Sequence, residues 1–135
     1  MENIIIINFY PEISNLNNSI NKLKKILIQI KKLRNCSLIF TLPSHDIGND
    51  NFEKIIKNFV KKDKNFNVYK NLGHKNFLSL MKTSSLMIGN SSSGILECPS
   101  FNKVSINIGK RQEGRVFSKS VMNIDSDLSN LNKLV

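Results

Sequence analysis

Strand-like and helix-like spacings alternate along this chain, and that alternation constrains its fold more than any other feature. A solidly apolar run, Ile4–Ile7, predicts a strand over Ile4–Phe9 that is buried on both faces, as in a parallel sheet. From Ile13 the period changes. Ile13, Leu16, Ile20, Leu23, Leu27 and Ile30 step by three or four, with lysines mostly on the other side. This predicts an amphipathic helix of about five turns, N-capped by Ser14 or Asn15. Further strands are expected at Cys36–Leu42, Phe66–Lys70, Leu86–Ile88, Val104–Ile108 and Val121–Ile124. Helices should lie around Phe52–Val60 and Phe77–Met81, with a short one that Pro99 limits and a last one opening at Leu128–Leu134. Repeated β-α-β units fold as an α/β domain, a Rossmann-like parallel sheet with helices on both faces. No linker or repeat divides residues 1–135, so a single domain is expected.

Composition narrows the function classes. Hydrophobic residues make up 40% and charged residues 22%, an ordinary mixture for a soluble protein. The net charge of +10 comes with only three arginines and no tryptophan. No basic stripe is interleaved with aromatics, so nucleic acid is not the expected partner. Lysine, asparagine and isoleucine crowd a chain that has no alanine, which is what an AT-rich coding sequence produces. Cys36 and Cys98 make no disulfide framework and no metal-ligand spacing. They are read as small buried hydrophobes of a reduced, cytoplasmic chain, with no metal and no cofactor. Ile4–Ile7 is too short for a signal or a membrane span.

Chemistry concentrates in Leu86–Glu97, where a buried strand runs into the loop Gly89-Asn90-Ser91-Ser92-Ser93-Gly94 and then a helix. Free amides and the positive dipole end at a helix start make a seat for phosphate, and serine hydroxyls add donors. A plain serine-capped helix start is the alternative reading. Glu97, one turn into that helix, either favours the dipole or accepts hydrogen bonds from the hydroxyls of a ribose. A second strand ends in Gly109-Lys110-Arg111-Gln112-Glu113-Gly114-Arg115, which holds two of the three arginines. Arginine grips phosphate with a planar fork of donors. Surface charge is the competing explanation.

Gly89-Asn90-Ser91-Ser92-Ser93-Gly94-Ile95-x-Glu97-x-Pro99-Ser100-Phe101, followed by Ile106-Asn107-Ile108-Gly109-x-Arg111-Gln112-x-Gly114-Arg115, resembles the hydrolysing UDP-N-acetylglucosamine 2-epimerases of sialic- and legionaminic-acid pathways. Weaker likeness runs from Tyr10-Pro11 through Pro43-x-x-Asp46-x-Gly48 to Leu72-Gly73. The resemblance implies the C-terminal half of a two-domain GT-B fold. It further implies that Ser91 and Ser92 contact a diphosphate, Glu97 the ribose and Arg111 a phosphate, with Ser93, Gly94 and Arg115 in weaker roles.

The implied reaction removes the C2 proton of an N-acetylhexosamine as UDP leaves C1, after which water adds back with inverted C2. Carboxylates of the N-terminal half carry the protons in that family. The implied ligand is UDP or a UDP-N-acetylhexosamine, and the same seat would suit a GDP-sugar. A separate N-terminal-half chain or a second copy of this chain is the implied partner. Two positions depart from the family pattern. Tyr10 stands where a histidine is usual, and a phenol with a pKa of about 10 is a poor base at neutral pH. Ser44 replaces an asparagine. His45 and His74 read as solvated residues, although His74 lies near a helix start. The alternatives are a catalytically dead nucleotide-binding fragment or the relic of a truncated gene, and half of a GT-B glycosyltransferase.

Overall fold

A computed structural model describes residues 3–42 and 49–124, with only the backbone given for Ile13 and Asn49. The loop at 43–48, with Ser44, His45 and Asp46, and the expected helix at Leu128–Leu134 lie outside the described residues.

Six strands form one sheet: β1 (Asn3–Asn8), β2 (Cys36–Leu42), β3 (Phe66–Lys70), β4 (Leu86–Gly89), β5 (Val104–Ile108) and β6 (Val121–Ile124). All adjacent pairs are parallel, in the order β3-β2-β1-β4-β5-β6. The connecting helices are α1 (Leu16–Ile30), α2 (Asn49–Val60), α3 (His74–Thr83) and α4 (Ser93–Leu96). The chain builds outward from β1 to β3, then crosses to the far side of β1 and builds outward again. Right-handed crossovers therefore put α1 and α2 on one face and α3 and α4 on the other.

The packing follows this division. Ile5 and Ile7 of β1 meet Leu23, Ile26, Leu27 and Ile30 of α1 and Phe52, Ile56 and Phe59 of α2 in the larger cluster. Ile6, pointing the other way, meets Met87, Met81, Phe77 and Cys98. An apolar residue at every position from Ile5 to Ile7 is thus what two covered faces demand. Each such side chain, fully buried, contributes roughly 1.5–3 kcal/mol.

Three expectations are corrected. A short 3-10 turn over Ile13–Asn15 precedes α1, whose 15 residues make about four turns and not five, although Asn15 caps it as one of the two residues expected, its Oδ1 accepting from the Asn18 amide at 3.2 Å. β1 spans Asn3–Asn8, and Phe9 lies beyond it, stacked on Phe52 at 5.8 Å. Cys36 is only half-buried, because it opens β2 at the edge of the core; Cys98 alone is fully enclosed.

Burial pushes the Cys98 thiol up to about 11, helped by the charge of Glu97. Its sulfur sits 3.7 Å from that of Met87. Since the thiolate is the reactive form, Cys98 should resist iodoacetamide at pH 8 in the native protein while Cys36 is alkylated. Peptide mass spectrometry checks this; equal labelling at both sites would contradict the burial of Cys98.

Candidate functional site

The strand order reverses between β1 and β4, and it is at the carboxyl ends of strands around such a reversal that open α/β sheets hold ligands. Asn8 ends β1 directly beside Gly89, the last residue of β4. A Cβ at Gly89 would stand 1.8 Å from the Asn8 carbonyl oxygen, so only glycine fits.

Asn90, the next residue, is 1% exposed and joins three loops. Its Oδ1 accepts from the Tyr10 amide at 2.8 Å, and its Nδ2 donates to the Tyr10 carbonyl at 2.9 Å. Its own carbonyl accepts from Arg111 Nη1 at 3.0 Å and from Gln112 Nε2 at 3.1 Å. The Arg111 guanidinium also lies over the Tyr10 ring, 5.1 Å from its centroid, close enough for a cation–π contact. The loops after β1, β4 and β5 are thereby tied at one residue. Arg111 is held in place with the rest of its donor fork uncommitted among the described residues.

The serine loop follows. Ser91 is buried, and its Oγ accepts from the Ser93 amide at 3.2 Å. The amides of Ser91 and Ser92 have no acceptor among the described residues. The helix they lead into is shorter than expected. α4 ends at Leu96: the Glu97 amide makes the last i→i−4 bond, to Ser93, and the Cys98 amide turns to that same carbonyl while the Gly94 carbonyl accepts from Ser105 Oγ. Four residues carry little dipole, so the capacity for an anion rests on free amides and hydroxyls.

Glu97, expected one turn inside the helix, is instead its C-cap. A negative charge there opposes the dipole, which removes helix stabilisation as the reason for it. Glu97 Oε1 accepts from Ser93 Oγ at 3.5 Å, while Oε2 is buried without a hydrogen-bond partner. A buried carboxylate oxygen lacking a donor is costly unless a ligand supplies one.

A cavity of about 380 Å³ adjoins this loop, within the roughly 300–1,000 Å³ usual for small-molecule sites. Asn8, Tyr10, Thr41, Leu72, His74 and Phe77 line it, and Ser93 forms the wall it shares with the serine loop.

Of the residues expected at the site, Tyr10 and Ser93 line this cavity; Arg111 is tied to Tyr10 through Asn90, and Glu97 to Ser93 through its hydroxyl. Gly94 packs against β5, its amide bonded to the Ser91 carbonyl and its carbonyl accepting from Ser105 Oγ at 2.6 Å. Arg115 is exposed, and its side chain makes no hydrogen bond or ion pair among the described residues. His74, read as solvated, is exposed and yet lines the cavity. Sequence reasoning missed Asn90 and Gln112 as the residues that position Tyr10 and Arg111. The signal was a bulky asparagine and glutamine inside two loops otherwise read for serines and arginines. Among the described residues there is no group of three potential metal ligands, and no helix is long and apolar enough to cross a membrane.

Comparison with known proteins is consistent across sequence and structure. The model of the UDP-N-acetylglucosamine 2-epimerase family matches residues 1–134. A Campylobacter jejuni protein named GDP/UDP-N,N'-diacetylbacillosamine 2-epimerase (hydrolyzing) is 37% identical over 131 residues, which are 96% of this chain and 34% of the relative. Escherichia coli polysialic acid biosynthesis protein P7 is 32% identical over 125 residues, 92% of this chain and 32% of the relative. This chain thus spans about a third of the length of these curated relatives. Among solved structures, the Neisseria meningitidis UDP-GlcNAc 2-epimerase bound to UDP-GlcNAc superposes with a TM-score of 0.69 at 19% identity, covering 98% of this chain and 34% of that one. The Methanocaldococcus jannaschii UDP-GlcNAc 2-epimerase in complex with UDP-GlcNAc and UDP gives 0.76 at 14% identity, covering 98% and 37%. The fold is shared with these epimerases.

Proposed function

The chain belongs to the UDP-N-acetylglucosamine 2-epimerase family, and we propose that its residues form the nucleotide-binding, C-terminal half of a hydrolysing 2-epimerase acting on a UDP-N-acetylhexosamine. The observation that carries this reading is the serine loop, whose Ser91 and Ser92 amides lack acceptors among the described residues, with Glu97 Oε2 buried without a partner after it and Arg111 tied to Asn90 before it. In it, Ser91, Ser92 and Arg111 hold the diphosphate, and Glu97 with Ser93 takes the ribose hydroxyls. A diphosphate beside Glu97 would be repelled, so the pentose and not the phosphate faces that carboxylate.

In the overall reaction the C2–H and C1–O bonds break, UDP departs with the C1–O electron pair, and water adds across the resulting C1–C2 double bond. Fixed donors at the diphosphate stabilise the charge that gathers on the leaving group. Tyr10, at the usual histidine position, serves to hold the Arg111 guanidinium by its ring. The carboxylates that move the protons belong to a partner half, supplied by another chain, by further sequence or across a homo-oligomer. The reading places the protein in the cytoplasm. A second reading, a nucleotide-binding fragment without activity, is favoured by Tyr10, which makes a poor base.

Calorimetry with UDP tests the site. Arg111→Ala should weaken UDP by about 1.5–3 kcal/mol, roughly 10- to 150-fold, as for a lost charge-assisted hydrogen bond. Equal affinities would take Arg111 out of the site, and no binding to either form would remove the nucleotide reading altogether.

A further inference from the structure

A second, much smaller cavity lies between the serine loop and the ends of β4 and β5. It measures about 10 Å³, close to the room that one water needs. Gly89, Ser91, Gly94, Ser105 and Asn107 are among its walls. Strand register accounts for it. Gly89 of β4 stands beside Asn107 of β5, and Asn107 beside Asn123 of β6. With no side chain on Gly89, space is left next to Asn107.

Asn107 Nδ2 donates to Asn123 Oδ1 at 2.9 Å, which commits the amide end of the Asn107 carboxamide to β6. Asn107 Oδ1 is buried with no hydrogen-bond partner among the described residues. The residue is only 5% exposed, and an acceptor so enclosed is seldom left unsatisfied. Ser91 borders the same cavity and is 7% exposed. Its Oγ accepts from the Ser93 amide at 3.2 Å, while its own proton has no acceptor among the described residues. An unused acceptor and an unused donor thus share one enclosed space of the size of a water. Ser105 Oγ donates to the Gly94 carbonyl at 2.6 Å and keeps a lone pair to offer there. A single water would accept from the Ser91 hydroxyl and donate to Asn107 Oδ1 and Ser105 Oγ. Three hydrogen bonds are typical of a buried water.

We infer that Asn107 is a positioning residue for the serine loop, drawing the Ser91 hydroxyl inward through one enclosed water. The inference rests on the proposed nucleotide site. With its proton turned inward, Ser91 Oγ keeps a lone pair on the Ser93 amide, and the turn stays closed. Ser91 then serves the diphosphate through its backbone amide, and the hydroxyl left for phosphate is that of Ser92.

Calorimetry of the 135-residue chain with UDP and inorganic pyrophosphate tests this on Asn107→Leu, Ser91→Ala and the double variant. Each single substitution should weaken both ligands about threefold to tenfold. The double variant should bind as Ser91→Ala does, because both changes cut the same linkage. Penalties that multiply overturn the inference, since the two residues would then act independently. So does an Asn107→Leu protein that melts earlier yet binds UDP like the parent, since Asn107 would then serve the fold alone. Asn107→Val takes its place in the cycle should Asn107→Leu fail to fold. A crystal structure of the parent should show one ordered water bonded to Asn107 and Ser91, and a dry cavity overturns the inference as well. A parent that binds both ligands beside an indifferent Asn107 variant sinks only this inference. A parent that binds neither sinks the proposed site with it.

Discussion

Gly89→Ala is expected to abolish the cooperative fold, or to lower its stability by more than about 4 kcal/mol. The added Cβ would lie 1.8 Å from the Asn8 carbonyl oxygen and 2.5 Å from its carbonyl carbon. Both are backbone atoms in the middle of the sheet, so no side-chain rotation relieves the overlap. β1 and β4 would have to part where Asn8 is registered with Gly89, taking with them the bond from the Asn90 amide to the Asn8 carbonyl. A domain of this size has only about 5–15 kcal/mol of stability to lose. Gly94→Ala is the control, since its Cβ would meet Ser105 Cβ at 3.5 Å and Met87 Sδ at 3.9 Å, ordinary contacts. Urea denaturation followed by circular dichroism should show the first variant unfolded or strongly shifted and the second near the parent. A Gly89→Ala midpoint matching the parent would mean that the strands do not approach as described.

Features of this fold that are local in sequence were legible before any coordinates. The strands at Cys36–Leu42, Phe66–Lys70, Val104–Ile108 and Val121–Ile124 have the bounds expected, because runs of apolar and β-branched residues between breakers decide them. The parallel order followed from alternation with helices. Features that depend on pairing between distant segments were not legible. The end of β1 is set by where Gly89 stands beside it, and the hub at Asn90 consists of bonds to Tyr10, 80 residues away, and to Arg111, 21 residues away. Pro99 suggested a later end for α4 than Leu96. The competing signal was the pair of amides turning back to Ser93, which has no signature in composition.

The purified 135-residue chain is expected to release no UDP from UDP-N-acetylglucosamine above the uncatalysed background, even in a preparation for which calorimetry shows UDP bound. Breaking the C2–H bond needs a base close to that carbon, and protonation steps need an acid on a matching trajectory. No carboxylate lines the cavity among the described residues, and Glu97, beside it, already accepts from Ser93 Oγ. Glu53 is remote from it, bound at 2.7 Å to Lys57 and at 3.1 Å to Lys70, and those lysines hold its carboxyl below the usual range. What remains is stabilisation of the leaving diphosphate, worth about 2.7–4 kcal/mol per well-placed donor. Such stabilisation eases cleavage of the C1–O bond but takes no proton from C2, so it gives no turnover by itself. A coupled assay for UDP, run beside UDP calorimetry on the same preparation, separates a missing reaction from a missing site. Turnover by these residues alone would place the proton-transferring groups among them, and Tyr10 and His74 would become the first to mutate.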